Sequence, residues 1–119
     1  MGMVLYELKG KGDLRFSPFS WRARLALAHK GLEAERIAIG FTEKEKIASG
    51  GYKQVPVLVD GETEVADSWA IACHLEDTYP DRPSLFGGPA GRAGACFVNA
   101  WADSRLHPAM APLILGDIF

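Results

Sequence analysis

The first apolar run, Val4-Leu5-Tyr6-Glu7-Leu8, is closed by Gly10-Lys11-Gly12 and predicts a strand buried on both faces. A helix follows. Ser17 is an N-cap candidate, Pro18 stands where the first helical residue tolerates a missing N–H, and the run Phe19 to Lys30 stops at Gly31, a favoured C-terminal residue. Trp21, Leu25 and Ala28 recur at helical spacing, so these three are the expected sheet-packing face. Arg36-Ile37-Ala38-Ile39 alternates like a second strand, and the polar stretch Thr42 to Ser49 predicts a short helix before Gly50-Gly51. Pro56 opens Val57-Leu58-Val59, Asp60-Gly61 signals a tight turn, and Thr63-Glu64-Val65 returns as the partner strand of a hairpin. Asp67-Ser68 then caps a helix reaching about Tyr79, with Ala72, Leu75 and Tyr79 along its expected buried stripe and Pro80-Asp81-Arg82-Pro83 as its stop.

The order β-α-β-α-β-β-α, with one crossover and a terminal hairpin, is that of an α/β, thioredoxin-like domain, expected over residues 1–84. Leu85 to Gly91 carries Gly, Pro and Ser and reads as a linker. Arg92 to Leu106 then forms an Ala-rich amphipathic pattern, so residues 92–119 are expected to begin a truncated all-helical domain. Fewer than thirty residues cannot bury a core of their own, so the mostly apolar stretch from Met110 is expected either to belong to that truncated domain or to be a tail that docks on the first domain or on another chain.

Composition narrows the function classes. Thirteen Lys and Arg against fifteen Asp and Glu give a net charge of -2 in 119 residues, with no block of like charge to meet nucleic acid or an anionic membrane. Two cysteines, Cys73 and Cys96, are too few and too far apart for a disulfide framework or a C-x-x-C pair, so a reducing cytoplasm is expected. The Met3 to Tyr6 run is too short for a signal peptide, Tyr6 breaks a myristoylation pattern, and no stretch is long enough to span a bilayer. His29, His74 and His107 lack metal-ligand spacing and a nearby acidic or Cys companion, so no metal is expected. Gly10-x-Gly12 lacks the third glycine of a dinucleotide loop, and there is no P-loop.

The chemistry concentrates at three junctions. Ser17-Pro18-Phe19-Ser20 occupies the strand-to-helix turn where this fold often carries Cys-Pro-x-Cys, and oxygen in place of both sulfurs excludes thiol–disulfide exchange there. What remains is a hydroxyl at a helix N-terminus beside Arg22 and Arg24, a setting that favours an anion such as a ligand thiolate. Lowering a thiol pKa by roughly two units from about 8.5 needs about 2.7 kcal/mol. A charge-assisted hydrogen bond supplies roughly 1.5–3 kcal/mol, and the helix terminus adds about 0.3–1. Ser17 reads equally well as a plain N-cap, the two roles are compatible because a hydroxyl both accepts and donates, and Ser20 competes for the thiolate role. Val55-Pro56 precedes a strand, where a cis bond turns the Val55 backbone outward to pair with a peptide. Asp67 and Ser68 open a helix whose amides and hydroxyl suit a carboxylate while Asp67 suits an ammonium, although a plain cap is the simpler reading. Gln54 is either a further polar contact or an exposed loop residue, and Cys73, Trp69 and Trp101 read as packing residues.

Taken together, Ser17-Pro18-Phe19-Ser20-Trp21-Arg22-Ala23-Arg24-Leu25-Ala26-Leu27, Gln54-Val55-Pro56-Val57-Leu58, Asp67-Ser68-Trp69-Ala70-Ile71 and Tyr79-Pro80-Asp81-Arg82-Pro83 resemble the N-terminal domain of glutathione S-transferases over about residues 3 to 88. The details lean toward the bacterial β-etherase-like branch, with the serine-type zeta and tau classes also similar. The resemblance implies that Ser17 stabilises the glutathione thiolate, that the Val55 backbone pairs with the cysteinyl unit, and that Asp67 and Ser68 hold the γ-glutamyl group. Phe19, Gln54 and Pro56 complete the implied glutathione site. It further implies glutathione as cosubstrate, a small electrophile or aryl ether as acceptor, and a homodimer. A non-catalytic glutathione-binding or interaction module is the alternative. Family proteins continue into a larger helical domain that shapes the electrophile pocket.

Overall fold

The structure, a computed structural model, describes residues 2–9, 17–39 and 55–118. Gln54, the expected helix over Thr42 to Ser49 and the glycines at 10, 12, 50 and 51 lie outside the described residues. The chain divides into two compact units, Met1–Leu85 and Phe86–Phe119.

In the first unit the elements run β1 (Met3–Leu8), α1 (Pro18–Lys30), β2 (Ala34–Ile39), β3 (Val57–Asp60), β4 (Thr63–Ala66) and α2 (Ser68–Thr78). The four strands form one mixed sheet in the order β2-β1-β3-β4, with β1 parallel to β2 and antiparallel to β3, and β3 antiparallel to β4. With its helices this is the thioredoxin-like arrangement that the element order predicts. Strand alternation sorts the core into two layers. Met3 and Leu5 join Leu58, Ala23, Ala26, Leu27, Ile71 and Leu75, which places α1 and α2 together on one face. Tyr6, Ile39 and Val57 are buried with Val4, Ile37, Val55 and Val59 around them in a second cluster.

The packing face of α1 differs from the expected one. Trp21 and Leu25 are exposed at 40% and 61%, and Ala28 is exposed too, whereas Ser20, Ala23, Ala26, Leu27 and Lys30 turn inward. Small residues at 20, 23 and 26 let the helix axis approach the sheet closely, a gain that the larger apolar stripe cannot match sterically. Pro18 opens the helix, and Gly31 ends it in the left-handed conformation at φ 68°, its N–H reaching Ala28 O while Leu32 N–H reaches Leu27 O. On α2 the buried line is Ser68, Ile71 and Leu75, with Tyr79 packed on the core and Ala72 only half-buried.

A polar clamp ties the far ends of α1 and α2. Lys30, 1% exposed, sets its Nζ 2.8 Å from Glu76 Oε1 and donates to Tyr79 O at 3.2 Å. Glu76 also accepts Ser84 Oγ and the Leu85 N–H, and Arg82 donates to Gly31 O. His74, for which the sequence offered no acidic companion, donates to Asp60 Oδ2 at 2.9 Å. The hairpin carries Asp60 back to α2, a contact that spacing along the chain does not reveal.

The second unit consists of α3 (Pro89–Trp101), a π-helical turn (Ala102–Leu106) and α4 (His107–Ile118). The helix therefore starts three residues before the expected Arg92, because Pro89 follows Gly88 as an N-terminal helical residue and not as part of a linker. The wide turn lies just ahead of Pro108, whose missing N–H and ring bulk disfavour regular α-helical hydrogen bonding there. Trp101, expected to pack, is 47% exposed.

Candidate functional site

Register gathers the three chemical junctions at one end of the sheet. Tyr6 pairs with Val57, and Val57 pairs with Ala66, so Val55-Pro56 and Asp67-Ser68 both lie beside the C-terminal end of β1. The start of α1 is held at that same end, because Ser20 Oγ accepts the Leu8 N–H at 3.3 Å.

At the α1 terminus Ser17 is the N-cap. Its φ of -63° and ψ of 121° are extended, its carbonyl accepts the Trp21 N–H at 3.0 Å, and its Oγ accepts the Ser20 N–H at 3.4 Å. That last bond is at the long limit for an N–H···O contact, so the side chain contributes toward the lower part of the roughly 0.5–2 kcal/mol range of a cap. Both serines are buried, at 5% and 1% exposure, but they differ in partner: Ser20 Oγ accepts from β1, whereas Ser17 Oγ accepts from the Ser20 amide of its own helix terminus. Accepting the Ser20 amide uses a lone pair of Ser17 and leaves the hydroxyl's donor function intact.

The two arginines beside the motif differ in their surroundings. Arg24 sits over the Trp21 ring at 4.0 Å and its Nε lies 3.5 Å from Oε1 of Glu7, a carboxylate wholly buried in β1 that also has Arg36 at 3.9 Å. Arg22 lies over the half-buried Phe19 ring at 4.7 Å. Arg24 is therefore engaged with Glu7, while at the helix start itself the Ser17 hydroxyl and the terminal amides form a setting that favours an anion.

The Val55-Pro56 bond is cis, with Pro56 buried and Val55 half-buried. Across from it, Asp67 caps α2 through Oδ2, which accepts the Ala70 N–H at 3.1 Å. Its backbone stands at φ 79° and ψ 130°, a region that suits glycine and costs about 1–3 kcal/mol for other residues. The carboxylate is exposed and keeps acceptor capacity beyond the single cap bond, while Ser68 beside it is 4% exposed.

A groove of about 390 Å³ runs elsewhere, between α1 and β2, lined by Trp21, Arg24, Leu25, Leu32, Ala34 and Arg36 among others. It includes none of Ser17, Val55, Pro56, Asp67 or Ser68. Among the described residues no group of three or more His, Cys, Asp or Glu side chains is disposed to hold a metal, and no helix is long and apolar enough to cross a membrane. Cys73 is half-buried and Cys96 exposed, and both are free thiols.

Comparison with known proteins shows the family. The family profile described as glutathione S-transferase, N-terminal domain, matches residues 16–78, more than half of the chain. A zeta class glutathione S-transferase of Euphorbia esula is 42% identical over 76 residues, covering 58% of this chain and 33% of that protein. Among solved structures, the glutathione S-transferase CsGST63524 of Ceriporiopsis subvermispora, in complex with glutathione, aligns with a TM-score of 0.80 at 25% identity, covering 99% of this chain and 52% of the other. Rice GST1 (OsGSTU1), also in complex with glutathione, aligns with a TM-score of 0.75 at 28% identity, covering 91% and 50% of the two chains. The chain thus spans about half or less of the length of the relatives it matches. It belongs to the glutathione S-transferase family.

Proposed function

We propose that this chain binds glutathione across the sheet end formed by Ser17, Val55-Pro56 and Asp67-Ser68, and activates its thiol for transfer to a small electrophile. The observation that carries the reading is the convergence of a buried serine N-cap, a cis-prolyl junction and a second capped helix start at one end of the sheet. Glutathione presents matching groups. Its thiolate takes the Ser17 hydroxyl proton as a hydrogen bond, its peptide pairs with the Val55 backbone, and its γ-glutamyl carboxylate and ammonium take the Ser68 region and Asp67. Phe19, Gln54 and Pro56 belong to the same site in this reading.

The chemical step is a nucleophilic displacement. The thiol proton leaves to solvent, the thiolate electron pair forms a carbon–sulfur bond, and the leaving group, a halide or in the ether lyase variant an aryloxide, departs with the electrons of the broken bond. Ser17 holds the anionic sulfur at lower energy than water does and so raises the thiolate fraction at neutral pH.

The Ser17→Ala substitution tests this. Losing a charge-assisted hydrogen bond of about 1.5–3 kcal/mol lowers turnover with an activated aryl halide by about 10- to 150-fold. Retention on immobilised glutathione stays largely intact, because the γ-glutamyl and cysteinyl contacts remain. Unchanged turnover removes Ser17 from the mechanism. Retention without turnover in the unsubstituted chain selects the glutathione-binding module instead.

A further inference from the structure

We infer that Ser20 is a positioning residue for the Ser17 hydroxyl, acting as the link that registers the start of α1 against the end of β1; the inference rests on the role proposed above for Ser17. Two hydrogen bonds make the link. Leu8 N–H donates to Ser20 Oγ at 3.3 Å, and Ser20 N–H donates to Ser17 Oγ at 3.4 Å.

The topology explains why β1 needs such a partner at that point. Successive amides along a strand point to opposite sides. Lys9 N–H donates toward β2, to Ile39 O at 2.9 Å, so the Leu8 N–H points the other way, toward the β3 side. There the ladder has already ended, since the last β1–β3 pair is Tyr6 with Val57. A side-chain oxygen from α1 replaces the missing strand carbonyl. It sits at a position only 1% exposed, inside the close-packed layer between helix and sheet.

The same arrangement divides the work between the two serines. Ser20 Oγ spends its acceptor function on the sheet and lies inside the helix–sheet layer. Ser17 Oγ receives the Ser20 amide on one lone pair, which restrains where the oxygen sits and leaves fewer directions for its proton. Displacing Ser20 shifts that amide and lets the Ser17 oxygen rotate. The helix start itself persists without the Ser20 side chain, because Trp21 N–H still reaches Ser17 O at 3.0 Å. Loss of the Ser20 hydroxyl is therefore felt in orientation more than in the existence of the cap.

The test is an ultraviolet titration of the glutathione thiolate bound to the 119-residue chain, comparing the parent with Ser20→Ala, Ser17→Ala and Tyr79→Phe. Tyr79 contacts Asp60 at the opposite end of β3, so its variant loosens the sheet away from the site. Ser20→Ala is expected to raise the apparent pKa of the bound thiol by about half to one unit, a 3- to 10-fold loss of thiolate at pH values below it, with the glutathione Kd changed less than about threefold. Ser17→Ala raises it further, and Tyr79→Phe leaves it in place. A Ser20→Ala titration that overlays the parent while Ser17→Ala shifts overturns the positioning role and leaves the proposed function standing. An equal shift in Tyr79→Phe also overturns it, by showing a general loosening. No shift in Ser17→Ala, or no bound thiolate in the parent, overturns the proposed function and the positioning role with it.

Discussion

Asp67 offers a way to separate backbone strain from ligand recognition at one residue. Replacing it by Ala removes the Oδ2 bond to the Ala70 N–H but keeps a Cβ at φ 79°. Replacing it by Gly removes the same cap and also the steric conflict. The exposed cap contributes about 0.5–1 kcal/mol. Releasing the Cβ strain returns about 1–3 kcal/mol, offset by about 0.4–1 kcal/mol for the greater freedom of glycine in the unfolded chain. Asp67→Gly is therefore expected to be more stable than Asp67→Ala by about 1 kcal/mol, which is a gap of about 4–8 °C in Tm for a domain of this size. Glutathione affinity follows a different rule. Both variants lose the carboxylate proposed to face the ammonium, and because the site is exposed the pair is worth no more than about 1 kcal/mol, roughly a fivefold rise in Kd that shrinks with added salt. Thermal unfolding and titration calorimetry on the two variants read the two effects separately. Equal Tm values would refute the strain assignment, and an unchanged Kd in both variants would refute the ammonium contact.

Other expectations follow from single contacts. Ser68→Ala, at a position 4% exposed, weakens glutathione binding by about 10-fold or more through the lost hydrogen bond to a carboxylate, measured by calorimetry, with the Asp67 cap unaffected. Lys30→Met removes the buried cation facing Glu76 at 2.8 Å. The carboxylate keeps Ser84 Oγ and the Leu85 N–H, so the cost falls below that of a fully orphaned charge, at about 2–3 kcal/mol and about 8–24 °C in Tm by calorimetric scanning. The Tyr79 phenol is held above its ordinary value of 10.0, first by burial and then by its hydrogen bond to the Asp60 carboxylate. Its stabilisation is therefore complete below the unfolded value and is lost as pH rises through the higher folded one, and Tyr79→Phe removes that alkaline dependence in urea titrations across pH 9–12.

Local grammar carried the architecture well. Ser17, Pro18 and Gly31 bracket α1 as their cap chemistry dictates, the Asp60-Gly61 turn closes the hairpin, and Asp67 caps α2. What pattern alone misjudged is the side of α1 that meets the sheet. A stripe of Trp21, Leu25 and Ala28 has the greater hydrophobicity, but the closeness of helix to sheet is set by Ser20, Ala23 and Ala26, and steric fit outweighs apolar area there. The long-range polar contacts were equally illegible. Lys30 with Glu76, His74 with Asp60, and Arg24 with Glu7 join residues 46, 14 and 17 positions apart, and only the packing of helices on one another and on the sheet brings them together. The same reason hides the role of Ser20, which looks like a second candidate nucleophile stabiliser in the motif and is turned toward β1 by the Leu8 amide. Pro89 is ambiguous in sequence because proline marks both linkers and helix starts, and in the fold it follows the Gly88 cap as the first residue of α3.

The most direct test of the site is a crystal structure of the chain with glutathione bound. The sulfur is expected within hydrogen-bonding distance of Ser17 Oγ, the cysteinyl peptide against the backbone of Val55, and the γ-glutamyl carboxylate at the start of α2. Glutathione seated in the groove between α1 and β2, or a sulfur that lies away from Ser17, would contradict the account.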